Sequence, residues 1–301
     1  MLDSPTRPQR GFDDQPSAPR PPINLYKLAT GYWLLATATG YWLLATGYWL
    51  LVTGYWLLVT ILASQLRVDC VRNHGGAMNL AFVCVGAGRG VRFGGDKLKE
   101  MLGSRTVFAT SLHALVRAVP EALLLVVVGD AMLDFWRDHL SPEFPQARFV
   151  SGGDRRQDSV RAGVLYAAQA GAEVVAVHDA ARPLVDPADV EAVINAVDGV
   201  AGAILSSRVS DTVKRVDGNG IVVDTLPRER LRSALTPQVF QLATLMEVWQ
   251  RADFKRVWTD EATLLESAGI PVRSVLARHP NPKVTTEADL QVVRAMMGLA
   301  S

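Results

Sequence analysis

The longer part of the chain, from residue 78 onwards, alternates two patterns of apolar residues. Short continuous apolar runs are typical of buried β-strands, and longer stretches with apolar residues at every third or fourth position are typical of amphipathic helices. The continuous runs predict strands at 80–85, 123–128, 148–151, 173–178, 203–207 and 272–276. The amphipathic stretches predict helices near 104–118, 131–140, 158–170, 187–197, 241–252, 260–268 and 286–298.

This alternation predicts an α/β fold. Continuous apolar strands separated by helices favour a mostly parallel sheet that is covered by helices on both faces. The segment 212–225 differs, because two short alternating runs flank the sequence DGNG at 217–220, which is typical of a hairpin turn. We therefore expect a β-arm at about 208–232 that projects from the sheet.

The first 77 residues follow neither pattern. Residues 1–22 are rich in Pro, Asp, Arg and Gln, a composition typical of disorder. No residue is charged between Leu28 and Leu66, and Tyr-Trp-Leu-Leu occurs there four times, the later copies beginning seven residues apart. By length alone, this segment would suit a membrane span.

A repeat in the DNA explains the apolar segment better than a membrane anchor does. The unit Gly-Tyr-Trp-Leu-Leu-Ala-Thr can be encoded by three copies of the seven-base word GGCTACT, and a tandem repeat of seven bases has a protein period of seven residues. We therefore interpret 1–77 as a low-complexity extension outside the native fold, which would begin at or near Met78. The domain would then span 78–301, and a membrane anchor is the alternative.

Charge and cysteine content exclude several classes of protein. The formal net charge of +1 gives no global field that would attract a polynucleotide or an anionic membrane. We therefore expect neither a nucleic-acid partner nor membrane association. The two cysteines, Cys70 and Cys84, cannot build a disulfide framework or a four-ligand zinc site, which favours a reducing compartment.

A glycine-rich loop, GAGRGVRFGGDKLK at 86–99, follows the first predicted strand. Ligands of parallel sheets bind at this end of the strands. Closely spaced glycines let backbone N–H groups approach an oxyanion, and Arg92, Lys97 and Lys99 are cations suited to phosphate. The loop matches neither the dinucleotide fingerprint nor the P-loop, and an ordinary turn with solvated cations is the alternative.

Two further motifs follow the third and fourth predicted strands. In SGGDRRQDSV at 151–160, Asp158 and Ser159 could simply cap a helix. In HDAARP at 178–183, Asp179 is well placed to bind Mg²⁺, which prefers oxygen ligands, or it could form a structural pair with Arg182.

Taken in order, the motifs of this chain resemble those of the 2-C-methyl-D-erythritol 4-phosphate cytidylyltransferase family, which acts in the non-mevalonate route to isoprenoids. The resemblance runs from about Leu80 to about Ala295. The motifs that carry it are GGDRRQDSV at 152–160, HDAARP at 178–183, LTPQVF at 235–240, TDEA at 259–262 and KVT at 283–285.

The resemblance implies a Rossmann-like nucleotidyltransferase sheet and a cytoplasmic homodimer with exchanged β-arms. It implies that a phosphate oxygen of methylerythritol phosphate attacks the α-phosphorus of CTP and that pyrophosphate leaves. Mg²⁺ or another divalent cation is the implied cofactor, with Asp179 facing it. Because both reactants are polyanions, we expect catalysis by positioning and charge neutralisation.

The resemblance also implies roles for individual residues. Arg92 and a loop lysine, Lys97 or Lys99, would stabilise the pentavalent phosphorus. The nucleotide would contact Ala87, Gly88, Gly90, Gly153, Asp154, Ser159 and Ala180. The methylerythritol phosphate would contact Thr212, Arg228, Lys283, Asp179 and Arg182, with Thr212 on the arm reaching substrate that is bound mainly by the other subunit.

The chain departs from the family pattern in its first loop. It has VGAG at 85–88 where the family has Pro-Ala-Ala-Gly, and DKL at 96–98 where the family has Pro-Lys-Gln, and the loop is about two residues shorter. Counting back from Gly103 selects Lys97 as the catalytic lysine, and counting forward from Arg92 selects Lys99. We prefer Lys97, because a shorter glycine loop is easier to accommodate than a shorter strand after it.

Two other functions fit the same residues. One is a cytidylyltransferase that acts on ribitol 5-phosphate or another alcohol phosphate, since only the acceptor contacts would differ. The other is a membrane-tethered nucleotide-binding protein without catalysis, which the altered loop and the apolar N-terminal segment would suit.

Overall fold

A computed structural model describes residues 79–88 and 93–299 of the chain. The predictions for the extension 1–77, for Met78 as the native start, and for Gly90 and Arg92 fall on residues outside these ranges. Among the described residues, no helix is long and apolar enough to cross a membrane.

Eleven strands are found in the described part of the chain. They are β1 (Leu80–Val85), β2 (Met101–Leu102), β3 (Arg105–Thr106), β4 (Leu123–Val128), β5 (Arg148–Ser151), β6 (Val174–Asp179), β7 (Gly202–Arg208), β8 (Val213–Val216), β9 (Val222–Leu226), β10 (Arg232–Gln241) and β11 (Val272–Leu276). Seven of them form the central sheet, in the order β11-β7-β10-β6-β1-β4-β5. All neighbours pair in parallel except β10, which is antiparallel to both β6 and β7. The mostly parallel sheet is confirmed.

The seven predicted helices are also confirmed, with ends that differ by up to three residues. They are α1 (Val107–Ala118), α2 (Leu133–Leu140), α3 (Arg156–Gln169), α4 (Pro187–Asn195), α5 (Leu242–Arg251), α6 (Glu261–Ser267) and α7 (Glu287–Met296). The start of α1 is later than predicted because residues 101–106 form the small β2–β3 hairpin.

The sheet is buried on both faces. Along β1, Phe82 and Cys84 join the core on one side of the sheet, and Ala81 and Val83 join the core on the other. Helices α1, α2, α4 and α7 contribute to the first core, and α3, α5 and α6 to the second. Strands that are covered on both sides have no polar face, which is why their sequences are continuous apolar runs.

Helix α3 packs directly on the sheet at Gly163. A Cβ atom at this position would lie 2.5 Å from Val83 Cγ1 and 2.9 Å from Val127 Cγ2. The absence of a side chain therefore lets the helix approach β1 and β4, and this fixes where the N-terminus of α3 meets the ends of the strands.

Strand β10 was not among the predicted strands. The residues from Leu235 to Phe240 are buried. The sequence RSALTPQVFQ nevertheless contains polar residues and a proline, and such a sequence does not predict a central strand. The pairing of β10 with β7 shifts register between Ala234 and Gln238, so Pro237, which lacks an N–H group, lies at an irregularity of the ladder.

The arm forms as predicted. Strands β8 and β9 pair as an antiparallel two-stranded sheet of their own, and Asp217 closes the turn by accepting hydrogen bonds from the backbone N–H groups of Asn219 and Ile221, each at 2.9 Å. Four apolar side chains on the arm are more than half exposed: Val216, Ile221, Val222 and Val223.

Candidate active site

A cleft of about 310 Å³ opens at the carboxyl ends of β1, β5 and β6. Ligands of parallel α/β sheets bind at this edge. The lining combines backbone of two glycine loops with charged side chains: Val85, Gly86, Ala87, Gly88, Lys97, Leu98, Gly153, Asp154, Arg155, Arg156, Ser159, Asp179, Ala181, Lys283 and Thr285.

The two glycine loops meet at one wall of the cleft. The backbone N–H of Gly86 donates to Val127 O, and that of Gly152 donates to Val128 O, both at 2.7 Å, so each loop continues the sheet for one residue. A Cβ atom at Gly152 would lie 2.8 Å from Ser159 Oγ and 2.9 Å from Ala87 Cβ. Glycine at 152 is therefore needed for the loops to touch.

Ser159 connects its loop to helix α3. Its hydroxyl oxygen accepts a hydrogen bond from the backbone N–H of Gly153 at 3.1 Å. Asp158 accepts from the backbone N–H of Arg155 at 3.3 Å and from the Arg155 guanidinium at 2.7 Å, so the predicted capping by Asp158 is observed. The pair of Arg155 and Asp158 is largely solvated and fixes the loop geometry more than it stabilises the fold.

Asp179, the last residue of β6, lies at the centre of the cleft among three cations. Its Oδ1 accepts a hydrogen bond from Arg156 Nε at 3.2 Å, and its Oδ2 accepts one from Lys283 Nζ at 2.7 Å. The third cation, Arg182, places its Nε 3.8 Å from Oδ2. The predicted pairing of Asp179 with Arg182 is therefore present, but Arg156 and Lys283 lie closer.

Charge, and not burial, sets the protonation state of Asp179. Burial by itself would raise the pKa of this carboxyl group, but the charges of Arg156 and Lys283, the hydrogen bond from Lys283 and the charge of Arg182 hold it well below its usual value. Asp179 is therefore an anion at neutral pH, and the three cations around it keep this corner of the cleft positive.

A buried polar network supports Asp179 from behind. The backbone N–H of Asp179 donates to Thr236 Oγ1 at 3.1 Å, and the same hydroxyl lies 3.1 Å from His178 Nδ1. Asn281 donates to Thr236 O at 2.9 Å and accepts at its backbone oxygen from Arg182 Nη1 at 2.7 Å. Burial lowers the pKa of His178 to about 4, so this histidine is neutral and structural.

The structure separates the two candidate lysines. Lys97 lines the cleft, and its Nζ donates to Val284 O at 2.7 Å. Lys99 lies 3.6 Å from Asp96 Oδ2 and 4.0 Å from the centre of the Phe135 ring, and it is not among the lining residues. The position of Lys97 suits the role that the shorter-loop alignment gave it.

Most of the predicted site residues come together. The cleft contains Ala87, Gly88, Lys97, Gly153, Asp154, Ser159, Asp179 and Lys283. Ala180 is fully buried next to the cleft, where its carbonyl accepts from Ser111 Oγ at 2.6 Å. Arg182 lies behind Asp179, and Lys99 lies outside the cleft lining. Thr212 and Arg228 lie on the exposed arm, where Arg228 donates to Ser210 O.

Two residues of the cleft region were missed by sequence reasoning. Arg156 is the first residue of α3 and contacts Asp179, and Glu261 is the first residue of α6 and accepts hydrogen bonds from Arg156 Nη1 at 3.0 and 3.1 Å. Both lie inside the motifs GGDRRQDSV and TDEA, but a charged residue in a polar motif has no sequence signal that distinguishes it from solvated neighbours. Only the fold brings positions 156 and 261 together.

The described residues contain no group of three His, Cys, Asp or Glu side chains that could hold a metal ion. Asp179 is the one predicted metal ligand, and both of its carboxylate oxygens accept hydrogen bonds from cations. Its role toward Mg²⁺ stays a prediction.

The fold and the cleft define a class of protein, namely an α/β protein whose glycine loops and cations at the carboxyl edge of the sheet suit a phosphate-bearing ligand. The model of the family 2-C-methyl-D-erythritol 4-phosphate cytidylyltransferase (IspD) matches residues 80–299. The chain belongs to this family.

Individual proteins show the same similarity. The 2-C-methyl-D-erythritol 4-phosphate cytidylyltransferase of Pelotomaculum thermopropionicum is 35% identical over 224 residues, which is 72% of this chain and 94% of that protein. The crystal structure of the enzyme from Thermus thermophilus is 29% identical, with a TM-score of 0.60 over 74% of this chain and 99% of that one.

Some relatives are longer. The bifunctional enzyme IspD/IspF of Chelativorans sp. is 34% identical over 230 residues, or 73% of this chain, but the match spans only 56% of the relative's length. The similarity therefore concerns one part of such relatives.

Proposed function

We propose that this protein transfers CMP from CTP to 2-C-methyl-D-erythritol 4-phosphate, giving 4-diphosphocytidyl-2-C-methyl-D-erythritol and pyrophosphate in the synthesis of isoprenoid precursors. The observation that carries the proposal is the group of cations, Lys97, Arg156 and Lys283, gathered between two glycine loops in one cleft. Such a cleft suits a triphosphate on one side and a phosphate monoester on the other.

The proposed reaction is an in-line displacement at phosphorus. A phosphate oxygen of the acceptor forms a bond to the α-phosphorus of CTP, the bond from that phosphorus to the bridging oxygen of the β-phosphate breaks, and pyrophosphate leaves. The second pKa of a phosphate monoester is near 6, so the nucleophile is already an anion at neutral pH. No general base is needed, which agrees with the neutral, buried His178.

In this proposal the residues of the cleft position charge. The backbone of the loop 86–88 and the Gly153–Asp154 segment hold the nucleotide, and Lys97, together with Arg92, stabilises the negative charge that develops on the α-phosphate. Lys283 bridges Asp179 and the acceptor phosphate. Each step is positioning and electrostatic stabilisation, which supply most of the rate enhancement in phosphoryl and nucleotidyl transfer.

We propose that magnesium enters the cleft together with CTP. Mg²⁺ commonly binds through substrate phosphates and one or two carboxylates. The described cleft is lined by the carboxylates of Asp154 and Asp179, and Asp179 is the one that lies among the three cations. The ion would neutralise phosphate charge, while Lys283 and Arg156 would continue to orient the carboxylate of Asp179.

We propose further that the acceptor side is completed by the arm of a second subunit in a homodimer. Arg228 and Thr212 lie on the exposed arm, and its four exposed apolar side chains would be covered in such a dimer. A cytoplasmic location is part of the same proposal, and the buried free thiol of Cys84 suits the reducing environment there.

The experiment is a pyrophosphate-release assay with CTP, Mg²⁺ and a panel of acceptors. We expect release with methylerythritol phosphate to exceed release with ribitol 5-phosphate by at least about 10²-fold in kcat/KM, because a site with charged partners at fixed positions rejects a misplaced phosphate strongly. Faster release with ribitol phosphate would transfer the function to that acceptor. Binding of CTP without release for any acceptor would favour a non-catalytic nucleotide-binding protein.

A further inference from the structure

The N-terminal residue of α3, Arg156, connects two carboxylates that come from different parts of the chain. Its Nε donates to Asp179 Oδ1 at 3.2 Å, and its Nη1 donates to Glu261 Oε1 at 3.0 Å and to Oε2 at 3.1 Å. These contacts engage two of the three nitrogens of the guanidinium group, Nε and Nη1. Its Nη2 makes no hydrogen bond with any of the described residues, and Arg156 lines the cleft.

Glu261 is an unusual partner for a residue of a polar cleft, because its side chain is only 4% exposed. Burial raises the pKa of its carboxyl group, and the charge and hydrogen bonds of Arg156 oppose this rise. Among the described residues, Arg156 supplies the hydrogen bonds to this carboxylate. A buried ion pair adds little to the stability of a fold, because the loss of hydration offsets the attraction between the charges. The main effect of Glu261 is therefore on the orientation of Arg156.

The position of Glu261 is itself fixed. Gln238, on the buried strand β10, donates to Asp260 Oδ2 at 2.9 Å and accepts from the backbone N–H of Ala262 at 3.4 Å. Asp260 caps helix α6 by accepting from the backbone N–H of Thr263 at 2.9 Å. The first turn of α6 is therefore clamped to the sheet, and Glu261 has a defined place below the cleft.

Without Glu261, the guanidinium of Arg156 could turn the edge formed by Nε and Nη2 fully toward Asp179. A bidentate pair of that kind is the favoured geometry of an arginine with a carboxylate, and it would take the remaining N–H donors away from the cleft. Glu261 competes for one edge of the guanidinium, and this leaves the Nη2 donors available to a ligand.

We propose that Arg156 is a further nucleotide-binding residue, which donates from Nη2 to the phosphates of CTP, and that Glu261 is a positioning residue that orients Arg156 for this contact. The inference deepens the proposed function and rests on it for the identity of the nucleotide. It adds a carboxylate outside the cleft lining to the residues on which nucleotide affinity depends.

The test measures equilibrium binding of CTP in the presence of Mg²⁺ without acceptor, and then steady-state kinetics, for the full chain and for Glu261→Gln. The matched control is Glu266→Gln, the same substitution at an exposed position of the same helix. We expect Glu261→Gln to raise the Kd and the KM for CTP about tenfold, with the KM for the acceptor changed less than about twofold. Glu266→Gln should leave all of these constants unchanged.

A pair of further variants separates positioning from a general loss of structure. Arg156→Gln should weaken CTP binding by about tenfold or more, and adding Glu261→Gln to it should change the Kd by less than about twofold, because residues that act through one contact are not additive. If the double variant raises the Kd for CTP by the product of the two single fold-changes, Glu261 acts independently of Arg156, and this result overturns the inference. Thermal unfolding of each variant establishes that the measured protein is folded.

The outcomes distinguish the inference from the proposed function. If the wild-type protein binds CTP and Glu261→Gln binds it equally well, the inference is wrong and the proposed function stands. If the wild-type protein binds CTP but does not react with methylerythritol phosphate, the proposed acceptor is wrong, and the binding experiment still decides about Arg156 and Glu261. If the wild-type protein does not bind CTP, both are wrong.

Discussion

The cleft and the β-arm carry predicted site residues in opposite surroundings. In the cleft, Asp179 is buried among Arg156, Lys283 and Arg182, and backbone from two loops packs at distances that require glycine. On the arm, Arg228 and Thr212 are exposed, and apolar side chains such as Ile221 face solvent. The cleft is built within one chain, whereas the arm presents residues without a site around them.

The comparison indicates a division of labour. The cleft has cations and backbone donors of the kind that bind a nucleotide, so in the proposed function a single chain would supply the nucleotide half of the reaction. The arm has an arginine, a threonine and an uncovered apolar surface, which suit contact with the site of another subunit. This division makes predictions that differ between the two regions.

The largest effect is expected from removing Lys97, the cation of the described cleft to which the proposed mechanism assigns the reacting phosphate. Lys97→Ala should lower kcat by about 10²–10³-fold, the size typical of losing one group that stabilises transition-state charge. Lys99→Ala should lower it less than about threefold, because Lys99 points toward Asp96 and Phe135. Steady-state kinetics of the two variants decides the matter, and the reverse ranking would transfer the role to Lys99.

The next largest effect concerns the arm. Arg228→Ala should raise the KM for methylerythritol phosphate about tenfold or more, because it removes a charged hydrogen-bond partner, and leave the KM for CTP unchanged. The measurement is a kinetic titration of each substrate in turn. An equal rise in the KM for CTP and the KM for methylerythritol phosphate would mean that the cleft and the arm do not bind separate substrates.

A mixture of the two impaired variants, Lys97→Ala and Arg228→Ala, tests which subunit's arm serves each cleft. If arms are exchanged in a homodimer, co-refolding Lys97→Ala with Arg228→Ala should restore about a quarter of the wild-type activity at low acceptor concentration, because half of the dimers are mixed and each contains one intact site. A mixture as inactive as its components would show that each arm serves its own cleft.

The apolar surface of the arm predicts a change of oligomeric state. Val222→Asp places a charge in a patch that would be buried in a dimer, so it should shift the protein toward monomer by at least about tenfold in the dissociation constant. Val257→Asp, at an exposed position outside the arm, is the control. Analytical ultracentrifugation measures both, and a wild-type protein that is monomeric would overturn the proposed covering of the arm.

The smallest effect concerns packing. Gly163→Ala forces a Cβ to within 2.5 Å of Val83 and should lower the free energy of unfolding by about 1–3 kcal/mol, the usual range for overpacking a core. Gly218→Ala on the arm, where nothing lies within 4 Å, should change it by less than about 0.5 kcal/mol. Urea unfolding compares the two, and equal effects would contradict the tight contact between α3 and the sheet.

The same contrast explains what sequence alone could predict. The continuous apolar runs and the DGNG turn identified the strands and the arm, because local patterns determine both. Strand β10 was not predicted, because Thr236 and Gln238 take part in a buried hydrogen-bond network and Pro237 lies at a register shift, features that local patterns do not represent. Arg156 and Glu261 were not predicted for a similar reason, since their role depends on a contact between residues 105 positions apart in the chain.

The central claim is that CMP passes from CTP to methylerythritol phosphate in the cleft around Asp179. It is tested most directly by following a label on the α-phosphate of CTP in the presence of that acceptor and Mg²⁺. We predict that the label appears in 4-diphosphocytidyl-2-C-methyl-D-erythritol, that the released pyrophosphate is unlabelled, and that Lys97→Ala slows the transfer by about 10²–10³-fold. Label released as free CMP, or transferred only to a different acceptor, would contradict the account.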